Sequence, residues 1–167
     1  GEILIDGRKV ILRSPRDAQQ NKIAVIHQEL LLVPEMSVAE NIFLGNWPQN
    51  LTGFVDKKEM NRMAEDILKR IGANIRPECR VSSLSTGEQQ MVEIAKALSK
   101  DIQVLILDEP TASLSEVDAN NLIRIVQELK KEGIAILYVS HRLEEVFAIA
   151  DCITVFRDGK YIGCVKN

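Results

Sequence analysis

The chain has 167 residues, 46% of them hydrophobic, with 21 basic against 24 acidic side chains and a formal net charge of −3. That length suffices for one domain with a real core, and the near-balanced charge argues against a nucleic-acid partner read across a whole face. No apolar run approaches bilayer-spanning length and no signal-peptide pattern opens the chain, while Cys79, Cys152 and Cys164, odd in number and without metal-ligand spacing, are expected as reduced thiols and not as a disulfide framework.

In chain order, "EILIDGRKV" predicts two short strands around an Asp6-Gly7 turn, and "ITVFRDGKYIG" repeats the device around Asp158-Gly159. "KIAVIHQ", 22 to 28, reads as a strand that breaks into polar residues at its end. From there to about residue 99 the pattern is helical. Ser37 with Glu40, and Asp56 with Glu59, have cap-and-reach-back spacing, so helices are expected to begin near 38 and 57. In the second, Met60, Met63, Ala64, Ile67, Leu68 and Ile71 recur at helical intervals, and Gly72 stands where a left-handed stop falls. "LSTGEQQ", 84 to 90, precedes a further helix whose stripe includes Val92, Ala95 and Leu98. "VLILDEP" is a strand, 116 to 132 a helix stopped by Gly133, and "IAILYVS" a third strand expected to be buried. A short helix near 142 to 149 leads to the closing hairpin. Apolar strands alternating with amphipathic helices imply an α/β fold with a mainly parallel sheet covered on both faces.

Such sheets bind ligands beyond the C-terminal ends of their strands. Gln28, Asp108, Glu109 and His141 all fall at such ends, on three separate strands. Adjacent carboxylates buried without a partner are costly, so the pair is expected to hold compensating charge. A magnesium ion shared with nucleotide phosphates supplies it. Asp108 would then hold the ion through its water shell, Glu109 would polarise an attacking water, and His141 would reach the terminal phosphate. His27 has only its neighbour Gln28 to recommend it. At "LSTGEQQ", Ser85 and Thr86 are good caps and Gly87 permits close approach of backbone to a ligand; Glu88 and Gln89 complete a helix N-terminus suited to an anion.

These segments, in this order, resemble the ATP-binding domain of an ABC transporter. "LSTGEQQ" looks like its signature motif, "VLILDEP" its Walker B strand, Gln28 its Q-loop glutamine, Ser113 to Ser115 its D-loop, and His141 in "SHR" its switch histidine, which implies that Gln28 joins Asp108 at the metal and Glu109 and His141 in catalysis. "SLSTGEQQMVEIAKAL" and "EPTASL" followed by Ser115 look most like the ATPases of monosaccharide importers, and "IHQELLLVPEMSVAENIFLG" with "FRDGKYIG" is similar to the first of their two tandem ATPase halves. The resemblance implies a P-loop ATPase fold with three parts: residues 1–28 in the nucleotide-binding core, 29–99 as a helical subdomain carrying the signature, and 100–167 as the catalytic core. It implies ATP and Mg2+ as cofactors. It also implies a second ATPase domain docked head to tail, membrane permease subunits served indirectly by a sugar-binding protein, and a place on the cytoplasmic face of a bacterial-type membrane.

One departure stands out: no GxxxxGK[ST] occurs after any glycine in the chain. In the family that phosphate loop lies upstream of the strand equivalent to "EILIDG", so the chain is expected to be such a domain without its first portion, weak in ATP binding, negligible in turnover, and prone to self-association through an uncovered sheet face. The rival readings are a soluble ABC-type ATPase acting on ribosomes or DNA and a non-hydrolysing ABC-like scaffold. Only 56 positions separate Gln28 from Leu84 (84 minus 28). That interval holds short capped helices and no sustained heptads, which disfavours the coiled-coil repair type.

Overall fold

The computed structural model describes residues 1–167. At the start, β1 (Ile3–Ile5) and β2 (Arg8–Val10) pair antiparallel across Asp6-Gly7. Both turn residues have positive φ, 50° and 75°, the conformation that lets a two-residue hairpin follow strand twist. A helix the periodicity did not announce, α1 (Pro15–Gln20), follows. It buries no residue and so has no apolar stripe; it exists through its cap, in which Ser14 and Asp17 bond reciprocally and Pro15 occupies the first turn.

The hydrophobic runs then form one parallel sheet. β3 (Ile23–Ile26) lies beside β4 (Val104–Asp108), which lies beside β5 (Ala135–Val139). Between β3 and β4 the chain makes α2 (Val38–Ile42), α3 (Lys57–Arg70) and α4 (Thr86–Leu98), and between β4 and β5 it makes α5 (Glu116–Lys131). The expected starts at 38 and 57 are observed. Ser37 and Glu40 form the full reciprocal cap, whereas Asp56 accepts from the Glu59 N–H alone, because the Glu59 carboxylate turns to Arg62 instead. Gly72 and Gly133 end their helices at φ 70° and 89°.

Register divides the sheet into two faces. The rows Ala24–Leu105–Ile136 and Ile26–Leu107–Tyr138 point into the core, where Leu105 and Leu107 are wholly buried among residues of α2 to α5. The row Val25–Ile106–Leu137 points the other way. There Val25 is 42% exposed, Leu137 55% and Val139 44%. The general expectation of a sheet covered on both faces, with a buried third strand, is therefore corrected, and the uncovered face expected of a chain without the phosphate-loop portion is observed: β5 is an edge strand and one face is open, because α4 and α5 contribute to a single core on the opposite side.

That core is continuous from the helical stretch to the sheet. Val38, Ala39, Met60, Ala64, Leu68, Val92 and Ala95 share it with Ile26, Leu107 and Leu122. Buried Asn41 stitches the loop after β3 to α2, accepting from the Val33 N–H at 2.7 Å and donating to the carbonyls of Val33 and Ser37 at 3.0 Å. After α6 (Leu143–Ile149), β6 (Cys152–Arg157) and β7 (Lys160–Lys166) close the chain as a hairpin around Asp158-Gly159. Cys152 opposes Lys166 and Thr154 opposes Cys164, so the two cysteines are diagonal neighbours on one face, and they are joined as a disulfide. This corrects the expectation of three thiols. Counting and spacing cannot see a cross-strand diagonal; only Cys79 is free.

The Ser37 N–H, and then the Ser37 hydroxyl, hold the Glu40 carboxyl below its ordinary value of 4.5. A depressed carboxyl contributes stability above its unfolded value and loses it as the pH falls through the folded one. Ser37→Ala is expected to cost about 1 kcal/mol in urea unfolding, and Glu40→Gln to flatten the loss of stability below pH 4.5.

Candidate functional site

Parallel pairing puts the ends of β3, β4 and β5 at one edge of the sheet. Asp108, the last residue of β4, lies beside Val139, and the Glu109 N–H continues the ladder to the Val139 carbonyl at 2.9 Å. Glu109 then takes φ 45°, a left-handed conformation rare for a residue with a side chain and found where structure over-determines it. The turn leaves its carboxylate about one-third exposed with Oε1 3.1 Å from His141 Nδ1. Thus the structure brings together Glu109 and His141, from the ends of different strands.

Asp108 is exposed, and its carboxylate takes part in none of the side-chain hydrogen bonds or ion pairs around it. The doublet opens at the sheet mouth, with Asp108 exposed and Glu109 half-buried. Gln28 stands two residues past Ile26 on the neighbouring strand, exposed, its side chain bonded to nothing, and His27 is exposed as well. The loop beyond Gln28 is held from α4: Glu93 accepts from the Leu31 N–H at 2.9 Å and Lys96 donates to the Leu31 carbonyl at 3.0 Å.

Behind the edge is a residue that sequence reading passed over. Glu145 on α6 is 4% exposed, and its Oε2 accepts from Thr111 Oγ1 and Tyr138 OH, both at 2.8 Å, and from Ser140 Oγ at 3.3 Å. Its Oε1 lies 2.7 Å from Arg142 Nη1, an ion pair without the alignment of a hydrogen bond. The Tyr138 hydroxyl is pushed well above its ordinary value of 10.0, by burial first and by its bond to Glu145 second, so it remains a donor at neutral pH. A carboxylate on an amphipathic helix reads as a solvated face; only tertiary packing shows it buried.

The "LSTGEQQ" residues form a second cluster at the N-terminus of α4. Ser85 is the cap: its hydroxyl accepts from the Glu88 N–H and donates to the Glu88 carboxylate, which also accepts from the Ser85 N–H. Gln89 donates to the Leu84 carbonyl at 3.0 Å. Ser85, Glu88 and Gln89 are thus engaged within the chain, leaving exposed Thr86 and the unbonded N–H groups of Thr86 and Gly87 as donors. Gly87 is buried, and its close approach is to α5: a Cβ there would stand 2.6 and 2.7 Å from the two Asp118 carboxylate oxygens. Asp118 in turn bonds the α5 cap, Ser115, through its N–H and its carboxylate. Gln90, next in the motif, is buried with its Nε2 unpartnered. No hydrogen bond or ion pair joins the two clusters.

Trp47 folds back on α2, its Nε1 donating to the Glu40 carbonyl at 3.2 Å. It helps line a cavity of ≈ 600 Å³ with Leu44, Gly45, Asn46, Gln49 and Val55, none of them in either cluster. Chemically, the sheet edge combines a carboxylate hydrogen-bonded to an imidazole with a free neighbouring carboxylate. Such a set can orient and deprotonate water beside a cation.

A profile of the ABC transporter family matches residues 1–112. A protein of Agrobacterium fabrum provisionally named ribose/galactose/methyl galactoside import ATP-binding protein 2 is 51% identical over 163 residues, 98% of this chain and 32% of its own length. A ribose import ATP-binding protein of Rhodopirellula baltica is 50% identical over 166 residues, 99% of this chain and 32% of its own. The chain thus spans about a third of the length of the curated relatives it matches. Among solved structures, the ADP conformation of an ATP-binding cassette of an ABC transporter superposes with a TM-score of 0.84 at 23% identity, covering 99% of this chain and 69% of the other, a likeness of fold.

Gly87→Ala is expected to push the Asp118 carboxylate off Ser115 and so cost about 1 kcal/mol, the worth of a cap. In an Asp118→Ala background, where the space is free, the same glycine change should cost measurably less by thermal or urea unfolding.

Proposed function

The chain belongs to the ABC transporter family, and from that premise we propose that its parent protein hydrolyses ATP to energise the import of a sugar across a membrane. The observation that carries the proposal is the contact of Glu109 with His141 beside the unpartnered Asp108, at the C-terminal edge of a parallel sheet. The names of the relatives support the sugar class.

Magnesium is held by one or two carboxylates together with substrate phosphates, not by an all-protein cage. The donor set fits: Asp108 offers one free carboxylate, Gln28 an amide oxygen from the next strand, and no cluster of three or more ligating side chains is present. Bound Mg-ATP supplies the phosphoryl group and the positive charge that the acidic doublet faces. Glu109 then orients the attacking water and accepts its proton, while His141, with Nδ1 on Glu109, keeps Nε2 for the terminal phosphate. At α4, the free N–H groups of Thr86 and Gly87, set in the frame made by Ser85, Glu88 and Gln89, are offered at a positive helix end to the phosphates of a second ATPase domain docked head to tail.

In this reading residues 1–28 and 100–167 build the nucleotide-binding core, and 29–99 form the subdomain that grips permease subunits. A sugar-binding protein acts through those subunits. No helix is long and apolar enough to cross a membrane, which suits a protein attached at the cytoplasmic face through such partners.

The phosphate cradle, absent from these residues, carries most of the affinity for nucleotide. Isothermal titration of the 167-residue chain with Mg-ATP should therefore give binding far weaker than that of the full-length parent, and in the parent Glu109→Gln should lower turnover by about 10²-fold or more. Micromolar binding by the shorter chain, or an active Glu109→Gln parent, would overturn the assignment. The open row Val25–Ile106–Leu137 supports association of the 167-residue chain with a second copy. Light scattering should show mass rising with concentration, and Leu137→Lys should restore the monomer.

A further inference from the structure

We propose that Glu145 is a positioning residue for hydrolysis, its buried carboxylate setting the distance between Glu109 and His141. The proposal rests on the ATPase reading of the same edge.

Glu145 touches neither residue, yet it holds both segments that carry them. Thr111, bonded to Oε2 at 2.8 Å, comes two residues after Glu109 and is 3% exposed. Ser140 and Arg142, both tied to the Glu145 carboxylate, flank His141, and the Arg142 N–H donates to Ser140 Oγ at 3.0 Å, closing a small turn around the histidine. Tyr138 adds a third hydroxyl from β5 itself. One oxygen thus gathers three hydroxyls while the other faces a cation. Only a carboxylate has that acceptor capacity, and burying one is costly unless every contact is made.

Substitution shows what the charge does. A glutamine would keep the shape, but its amide must either set an NH2 group against the Arg142 guanidinium or turn donors toward three hydroxyls. In both cases the strand-end segments lose their common anchor, and the Glu109 Oε1 to His141 Nδ1 spacing of 3.1 Å is no longer enforced. Misplacement of a reacting group by about 1 Å costs on the order of 10²-fold in rate. Nucleotide affinity arises elsewhere, so binding should be spared. A residue that merely fills the core would show no such split.

The test is steady-state ATP hydrolysis by the full-length parent carrying Glu145→Gln. The expected result is kcat lowered about 10²-fold with KM unchanged, and little further loss when Glu145→Gln is added to His141→Ala, since two residues acting through one pathway are not additive. Thr111→Val removes one leg and keeps the ion pair; it should show the same split at smaller amplitude, and serves if Glu145→Gln does not fold. Unchanged kcat, a loss shared equally with KM, or a full additional loss on top of His141→Ala would overturn the proposal. If the unaltered parent hydrolyses no ATP, the ATPase reading itself fails. The positioning claim is then decided on the 167-residue chain, which has two histidines: the ring-proton resonances of His141 must move in Glu145→Gln while those of His27 stay in place.

Discussion

Parallel strands end together. That constraint governs everything functional here, because a three-stranded parallel ladder in the order β3-β4-β5 gathers at one edge residues drawn from positions 28, 108, 109 and 141. An antiparallel ladder would send alternate ends to opposite sides. Once Ile26, Leu107 and Tyr138 are side by side in the core, the polar residues after them have no choice but to share the mouth. The left-handed φ of Glu109 then turns its carboxylate toward the next strand's histidine, so the least relaxed backbone at this edge lies where two strand ends are joined.

Holding that edge requires polar groups in a place that disfavours them. Glu145 is buried at a three-way junction of β5, the segment after β4, and α6, and it is tolerated because hydroxyls and a guanidinium surround it. At α4 the economy differs. Ser85 and Glu88 spend their side chains on their own helix end, and Gly87 is small so that the α5 cap can approach. The motif is therefore a packing device within the chain first, and what it can offer outward is backbone N–H.

The pairing of Cys152 with Cys164 depends on which residues lie diagonally across a hairpin. It is not a property of a window of sequence. The short α1 was passed over for the converse reason: it has a complete cap and no buried face, so periodicity has nothing to detect.

Local physics was legible from the residues alone. Asp6-Gly7 and Asp158-Gly159 made hairpins because those side chains tolerate positive φ; Ser37 and Ser85 began helices because orphan N–H groups need acceptors; Met60, Ala64 and Leu68 shared a stripe because the helix has its period. The polar strand ends marked the edge, and the ordered motifs marked the family. What tertiary structure decided was contact: Glu109 against His141, Glu145 beneath both, Gly87 against Asp118, and one sheet face left bare. Such contacts join residues tens of positions apart, and their distance is set by packing of the whole core, for which no short stretch of chain holds the information.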